Sequence, residues 1–211
     1  MRLSRAFASA ALVAILASAA RADIIDRVVA VVDGHLITMS DVRTVTVLHL
    51  LDPSSPASPV EPGRDPGVEH LIDRILVLEE VERYAPAPPD DKAVDARLGV
   101  IAQANGSATL VEERLHELGV SPAWLRQWAT DSLRIRAYVD QRFGNVVQPT
   151  DEELEAYFRE HQSDFAGKDV NDATVQSTAR TAIVAERRRA VLTEWITGLR
   201  RRADVMRPEA R

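Results

Sequence analysis

The sequence DRVVAVVDGHLITMSD, residues 26–41, decides the fold more than any other stretch of this 211-residue chain. Two short runs rich in β-branched apolar residues flank Asp33-Gly34, a pair that tolerates the positive φ angles of a two-residue hairpin turn. The run ends near Ser40, which we expect to cap a following helix. Because a lone hairpin is not stable in water, its apolar face must lie on other elements. The stretch therefore predicts a small β-hairpin on a helical body.

The rest of the chain predicts helices separated by turn and capping signals. The first helix is expected to run to residue 51 and to be followed by an irregular, proline-rich loop over residues 53–67. Apolar residues then follow helical spacing over residues 68–84. The later helix starts are expected at Asp90, at the capping box of Thr109 and Glu112, at Ser121-Pro122 and at the capping box of Thr150 and Glu153. The fold class is thus mainly α with a small N-terminal β-hairpin.

The first 22 residues have the pattern of a cleaved export signal. Arg2 and Arg5 precede an acid-free apolar run over residues 6–20, and Ala20-Arg21-Ala22 fits a signal-peptidase site, so we expect cleavage before Asp23. A membrane anchor is the weaker interpretation, because about 15 residues fall short of the roughly 20 needed to span a bilayer. The remaining chain is expected to be exported to the periplasm without stable membrane insertion.

Charge is unevenly distributed in a chain whose composition is that of a globular protein. The net charge is −6, and removal of the signal with its three arginines lowers it to −9. Residues 173–211 hold 9 basic and 4 acidic residues, a net +5, whereas residues 23–172 hold 14 basic and 28 acidic residues, a net −14. The two parts should attract each other, although either docking within one chain or swapping between chains would satisfy that attraction. An acidic exported protein is a poor candidate for nucleic-acid binding, so the arginines at 187–189 and 200–202 are interpreted as a solvated helix face.

The sequence contains few candidates for catalytic, metal-binding or cofactor-binding residues. There is no cysteine, hence no disulfide, thiol nucleophile or thiolate metal site. Glu113 and His116 lie three positions apart on a predicted helix, with no third potential metal ligand beside them. A surface hydrogen bond explains this pattern better than a metal site does. No nucleotide-binding or nucleophile-elbow motif occurs. We therefore expect no catalytic residues, cofactor or metal.

Aromatic residues on two predicted helices are the candidate binding residues. They are Trp124, Trp128, Tyr138 and Trp195. These side chains could line a groove for apolar peptide segments, since aromatic rings bury a large area against varied partners. Their helical spacing is explained equally simply by packing in the core, and the sequence does not separate the two interpretations.

Several stretches together resemble a known family. Residues 26–41, the helix around 71–76, the segment 96–106, the helix end at 115–119 and the long helix over 124–139 are similar to the N-terminal domain of SurA-type periplasmic chaperones, and more distantly to PpiD, PrsA and trigger factor. The final helix, around residues 195–200, is similar to the C-terminal helix that packs back on that domain. The hairpin stretch is the most specific part of this resemblance.

The resemblance implies a chaperone core without an enzyme. It divides the chain into a chaperone domain over 23–165, a short joint over 166–173 and a C-terminal helix over 174–211. Family members typically carry parvulin prolyl-isomerase domains where this chain has only the eight-residue joint. It implies an ATP-independent holding chaperone for unfolded outer-membrane β-barrel or exported proteins. The alternatives are a dedicated interaction module for one partner and an enzyme related to prolyl isomerases.

Overall fold

A computed structural model describes residues 26–51, 57–84, 87–145 and 148–208. Within these ranges the chain is mainly helical, with a small N-terminal hairpin, so the predicted fold class is confirmed. In chain order the elements are β1 (Val28–Val32), β2 (His35–Thr38), α1 (Met39–Val47), α2 (Pro66–Tyr84), α3 (Asp91–Ala104), α4 (Ala108–Leu118), α5 (Pro122–Phe143), α6 (Asp151–Glu160), α7 (Ala173–Arg202) and β3 (Val205–Met206). The expected export signal lies outside the described residues.

The predicted hairpin is formed by β1 and β2. Asp33 and Gly34 have φ angles of 46° and 88°, which is the left-handed geometry of a tight two-residue hairpin turn. The strands pair antiparallel, with an irregularity between Val28 and Ala30. Alternation along the strands directs Ala30, Val32 and Ile37 into the core.

A third strand, β3, completes the sheet and was not predicted from the sequence. It pairs antiparallel with β1, so the strand order is β2-β1-β3. Next to this ladder the amide of Asp33 donates to the carbonyl of Asp204 at 3.0 Å, and the amide of Asp204 donates to the Asp33 carboxylate at 2.8 Å. The end of the chain therefore covers the open edge of the N-terminal hairpin.

Several helix boundaries differ from the sequence-based expectations. Thr38, not Ser40, caps α1: its amide donates to the Asp41 carboxylate at 2.8 Å, and its hydroxyl accepts from the Asp41 amide at 3.3 Å. The helix ends at Val47 rather than at residue 51, and the proline-rich loop ends at residue 65 because Pro66 already lies in α2. The expected capping box starting at Thr109 is replaced by a cap at Ser107, whose hydroxyl accepts from the Leu110 amide at 3.1 Å.

The other capping predictions agree with the structure. Asp90 caps α3, Ser121 caps α5 with proline in its first turn, and Thr150 and Glu153 form the capping box of α6. These caps satisfy amide groups that a helix start leaves without an intrahelical acceptor.

The main hydrophobic core surrounds α2. It joins the buried faces of the hairpin, of α1 to α5 and of the C-terminal half of α7. A second, smaller core lies between α6 and the start of α7, where Leu154, Ala179 and Ile183 pack with three aromatic residues, Tyr157, Phe158 and Phe165. Helix α7 thus contributes to both cores along its 30 residues.

The end of α7 is held on α2 by buried charges. Asp73 is only 1% exposed, and Arg200 donates from Nε to its Oδ1 at 2.5 Å. Arg200 also pairs with the buried Glu69, to which Arg207 donates at 3.0 Å. Burial acts to raise the pKa of Glu69, but the hydrogen bonds and charges of Arg200 and Arg207 outweigh it and hold that pKa below its ordinary value. Ser58, from the loop before α2, donates to the Asp73 carboxylate at 2.9 Å and completes the site.

Residues 161–172 form turns between α6 and α7. The domain boundaries at 165 and 173 stay a prediction.

Candidate functional site

Helix α5 places the candidate aromatic residues in two separate groups. Trp124 and Trp128, one turn apart, stack with their ring centroids 5.4 Å apart and their planes inclined by 26°. Tyr138 lies near the other end of α5 and contacts Trp195 of α7, with centroids 5.9 Å apart. The structure therefore does not bring the four residues together in one groove.

Trp128 is held by an arginine from α2. The guanidinium carbon of Arg74 lies 3.6 Å from the centroid of the Trp128 ring, a cation–π contact. Arg74 donates to the Trp128 carbonyl at 3.1 Å and to the Ser132 hydroxyl at 3.2 Å. Burial lowers the pKa of Arg74 to about 10, the nearby charge of Asp131 opposing this effect and that of Arg97 adding to it. The guanidinium therefore stays charged at neutral pH although its hydrogen-bond partners are neutral.

A cleft with a largely apolar lining opens beside the two stacked tryptophans. Its volume is about 230 Å³. Strand β2, α1, α2 and α5 supply its apolar lining: Leu36, Ile37, Val45, Leu71, Ile75, Leu78, Trp124 and Trp128. Asp41, Arg74, Gln127 and Asp131 supply its polar groups. We call this site the Trp cleft.

The Trp cleft suits side chains rather than whole ligands. Its volume lies below the roughly 300–1,000 Å³ of pockets that enclose small molecules. Leu36, on its lining, is 61% exposed, so the cleft continues onto apolar surface. Trp128 is buried in the main core, while Trp124 is only partly buried against it. Each of these tryptophans packs on the core and also lines the cleft, and their role in binding peptide segments stays a prediction.

The second aromatic group lies around Arg142 and lines neither this cleft nor the larger cavity described next. Tyr84, Tyr138, Phe143 and Trp195 each place a ring centroid 5.5 to 5.9 Å from the Arg142 guanidinium. Arg142 donates to the Tyr138 hydroxyl at 2.6 Å. Burial raises the pKa of Tyr138, with Arg142 acting in the opposite direction. This arrangement fastens α5 to α7 and leaves Tyr84 exposed at the surface.

A larger cavity of about 750 Å³ lies between α2, α3, α5 and α7. Five arginines contribute to its lining: Arg74, Arg97, Arg136, Arg188 and Arg189. Asp140 is the one carboxylate among the described residues that line it, and it is paired with Arg188. We call this site the basic cavity. Arg74 lines it as well as the Trp cleft, so the two sites lie on either side of one side chain.

Sequence analysis missed Arg74 and the basic cavity. Arg188 and Arg189 were interpreted as part of a solvated face, and the structure places both on the cavity lining. The arginines come from four helices, and Arg74 and Arg189 lie 115 positions apart, so no local pattern joins them. The sequence places Arg74 with Glu69 and Asp73 on the polar side of its predicted helix, so nothing in the pattern marked it as a residue of a cavity.

The described residues offer little for other chemistry. They contain no group of three or more His, Cys, Asp or Glu side chains arranged to hold a metal ion. In the same part of the chain, no helix combines the length and apolar character needed to cross a membrane. The lone pair of Glu113 and His116 lies on α4.

Comparison with known proteins supports the fold. No protein-family model matches the chain, and no curated protein sequence matches it. A solved structure from Campylobacter jejuni, from a study of the virulence factor PEB4 and the periplasmic protein Cj1289 as two structurally related SurA-like chaperones, superposes with a TM-score of 0.53. The match covers 88% of this chain and 100% of the other at 11% sequence identity. The chain therefore has a SurA-like fold.

Proposed function

We propose that this protein is a holding chaperone that binds unfolded exported proteins, outer-membrane β-barrel proteins in particular, without ATP and without prolyl-isomerase activity. The Trp cleft is the observation that carries the proposal. It is an open, apolar site with a polar rim, and it lies on a fold shared with SurA-like chaperones.

The dimensions of the cleft fit weak and reversible binding. Burying one large apolar side chain contributes roughly 1.5–3 kcal/mol. A site for one or a few such side chains gives low affinity for any single segment, so an unfolded chain can bind, dissociate and bind again. The two stacked tryptophans add a broad, rigid surface that accepts aliphatic and aromatic side chains alike.

The periplasm is the proposed location. Residues 1–22 have the pattern of an export signal, and one of the two chaperones in the Campylobacter work is described as periplasmic. An acidic net charge of −9 after cleavage would keep the loaded chaperone soluble.

A dedicated partner module is the second candidate function. The basic cavity favours it, because three of its lining arginines, Arg74, Arg136 and Arg189, form no ion pair with a carboxylate of the described residues, and such a local positive charge selects among partners. Binding of one periplasmic protein and no suppression of aggregation for several unrelated unfolded proteins would favour this candidate.

Light scattering tests the chaperone proposal. A urea-unfolded outer-membrane barrel protein is diluted into buffer with or without residues 23–211, in the absence of ATP. We expect the chain at several-fold molar excess to suppress scattering. Leu36→Glu, which places a charge on the lining of the Trp cleft, should reduce the suppression several-fold.

Leu110→Glu is the matched control. Leu110 is also an exposed leucine, at 43%, but it lies on α4 away from the cleft. Unchanged scattering with the wild-type chain, or equal loss of suppression in both variants, would refute the proposal.

A further inference from the structure

We propose that the basic cavity binds acidic segments of extended polypeptide, and that client segments in which carboxylates lie next to apolar side chains are therefore preferred. This inference rests on the proposed function and concerns which clients are selected. The basic cavity is distinct from the Trp cleft and faces α3 and α7 rather than the hairpin.

The local charge of the cavity is opposite to that of the whole protein. The chain carries a net charge of −6, which on its own repels acidic segments. Among the described residues that line the basic cavity there are five arginines but one carboxylate, that of Asp140, which is paired with Arg188. An anion that enters this cavity therefore meets a positive potential that the surrounding surface does not provide.

Three of the lining arginines lack a carboxylate partner among the described residues. No ion pair joins Arg74, Arg136 or Arg189 to an acidic side chain there, whereas Arg126, Arg134, Arg180, Arg187, Arg188, Arg200 and Arg207 all form such pairs. Arg74 is the most telling of the three, because it is half-buried and its hydrogen bonds go to a carbonyl and a hydroxyl. Asp131 acts on this guanidinium only as a nearby charge without a direct ion pair, and a ligand carboxylate would supply a direct ionised partner.

The remaining lining favours a polypeptide over a small anion. Between the arginines lie apolar side chains, including Ile135, Val139 and Leu192. A phosphate ion has no apolar group with which to contact these side chains. An extended peptide directs alternate side chains to opposite sides, so its carboxylates can contact the arginines while its apolar side chains contact the apolar lining. The volume of about 750 Å³ is within the range of pockets that enclose a ligand and is sufficient for a short segment.

Fluorescence anisotropy on residues 23–211 tests the inference. The probes are a short labelled peptide in which glutamates alternate with apolar residues, and the same peptide with every glutamate replaced by glutamine. We expect the glutamate peptide to bind about tenfold more tightly at low salt, the factor that one or two charge-assisted hydrogen bonds would give. The preference should decrease at high salt, which screens the arginine charges.

Variants locate the effect. Arg136→Glu combined with Arg189→Glu should abolish the preference for glutamate, and the milder change of both residues to glutamine should reduce it. The matched control is Arg43→Glu combined with Arg159→Glu, which makes the same change in net charge at exposed sites on α1 and α6 outside the cavity. The control should keep the preference.

Three results would overturn the inference: equal binding of the two peptides by the wild-type chain, a preference that survives both cavity variants, or inorganic phosphate that displaces the glutamate peptide and binds more tightly than it. The outcomes are separable from those of the scattering assay. Suppressed aggregation without a glutamate preference removes this inference alone, while a glutamate preference without suppressed aggregation removes the holding function and leaves the acidic-peptide site in place.

Discussion

Arg200 and Asp73 form a charged contact between the last helix and α2, with Arg200 Nε donating to Asp73 Oδ1 at 2.5 Å. The carboxylate is almost completely buried, and the same guanidinium reaches Glu69 one turn away on α2. Removing one partner of a buried ion pair leaves the other charge without compensation, which typically costs more than the pair itself contributes.

Arg200→Ala should therefore lower the free energy of unfolding by about 3 kcal/mol. Ser58 and Arg207 would still contact Asp73 and Glu69, so we do not expect a larger loss. Urea denaturation followed by circular dichroism measures the effect. Arg201→Ala, at the exposed neighbouring position, is the control and should change stability by less than about 0.5 kcal/mol. If the two variants unfold at the same urea concentration, the contact does not hold α7.

The lowered pKa of Glu69 predicts a pH dependence. A carboxyl whose pKa is lower in the folded than in the unfolded state contributes stability above its unfolded pKa, and this contribution is lost as the pH falls through the folded pKa. Glu69→Gln should therefore be less stable than the wild type above about pH 4.5, the ordinary value for this group.

That difference should shrink as the pH falls below 4.5, because protonated Glu69 and glutamine are then both uncharged. Urea midpoints at a series of pH values measure it. The control is Glu117→Gln on α4, an exposed position that should show no such convergence. A difference between the wild type and Glu69→Gln that stays constant with pH would contradict the assigned role of Glu69.

The two stacked tryptophans should differ in their contribution to stability. Trp128 is buried and carries the Arg74 contact, so Trp128→Ala is expected to lower the free energy of unfolding by about 3–5 kcal/mol. Trp124 is only partly buried on the cleft wall, and Trp124→Ala should cost about 1–2 kcal/mol. Urea denaturation of the two variants gives the comparison. Equal losses would show that the partly buried Trp124 contributes to the core as much as Trp128 does.

The start of α4 offers a test of capping. Ser107 accepts a hydrogen bond from the Leu110 amide, so Ser107→Ala should lower the free energy of unfolding by about 1 kcal/mol. Thr109 is an exposed residue inside the helix, and Thr109→Ala should be neutral or slightly stabilising because alanine has the higher helix propensity. If Thr109→Ala lowered the free energy of unfolding more than Ser107→Ala, the result would favour the capping box of Thr109 and Glu112 that the sequence predicts.

Prolyl-isomerase activity is expected to be absent. Residues 161–172 form turns at the place where the resemblance to SurA-type chaperones implies that those proteins carry an isomerase domain. In an assay on a proline-containing peptide, the uncatalysed cis/trans isomerisation takes on the order of tens to hundreds of seconds. Addition of the chain should leave that time unchanged. A known prolyl isomerase serves as the positive control. Acceleration that rises with the concentration of the purified chain would favour the enzyme alternative.

Sequence patterns predicted the local elements well because their signals are local. The turn at Asp33-Gly34 and the caps at Asp90, Ser121 and Thr150 each depend on a few neighbouring residues, and all four agree with the structure. At the two missed caps, a second hydroxyl residue lies two positions away from the expected one. Thr38 and Ser107 are the N-cap residues because each has an extended backbone conformation immediately before its helix begins.

The features that were missed depend on contacts between distant residues. Strand β3 has two residues, too few to show an alternating pattern, and it exists because β1 offers an unpaired edge. The pairing of Arg200 with Asp73 spans 127 positions, and only the opposite net charges of the two parts of the chain hinted at it. Both sites described above likewise combine residues from four elements, so their residue types were visible in the sequence but their proximity was not.

The pairing of β3 with β1 sets the order of events during biosynthesis. Asp33 and Asp204, which are joined by hydrogen bonds, lie 171 positions apart, so the sheet cannot close until residues 204–206 have emerged from the ribosome. Contacts of such long range are also slow to form. Under the proposed export of an unfolded chain, a sheet that needs both residues 28–32 and residues 205–206 would delay the completion of its own fold.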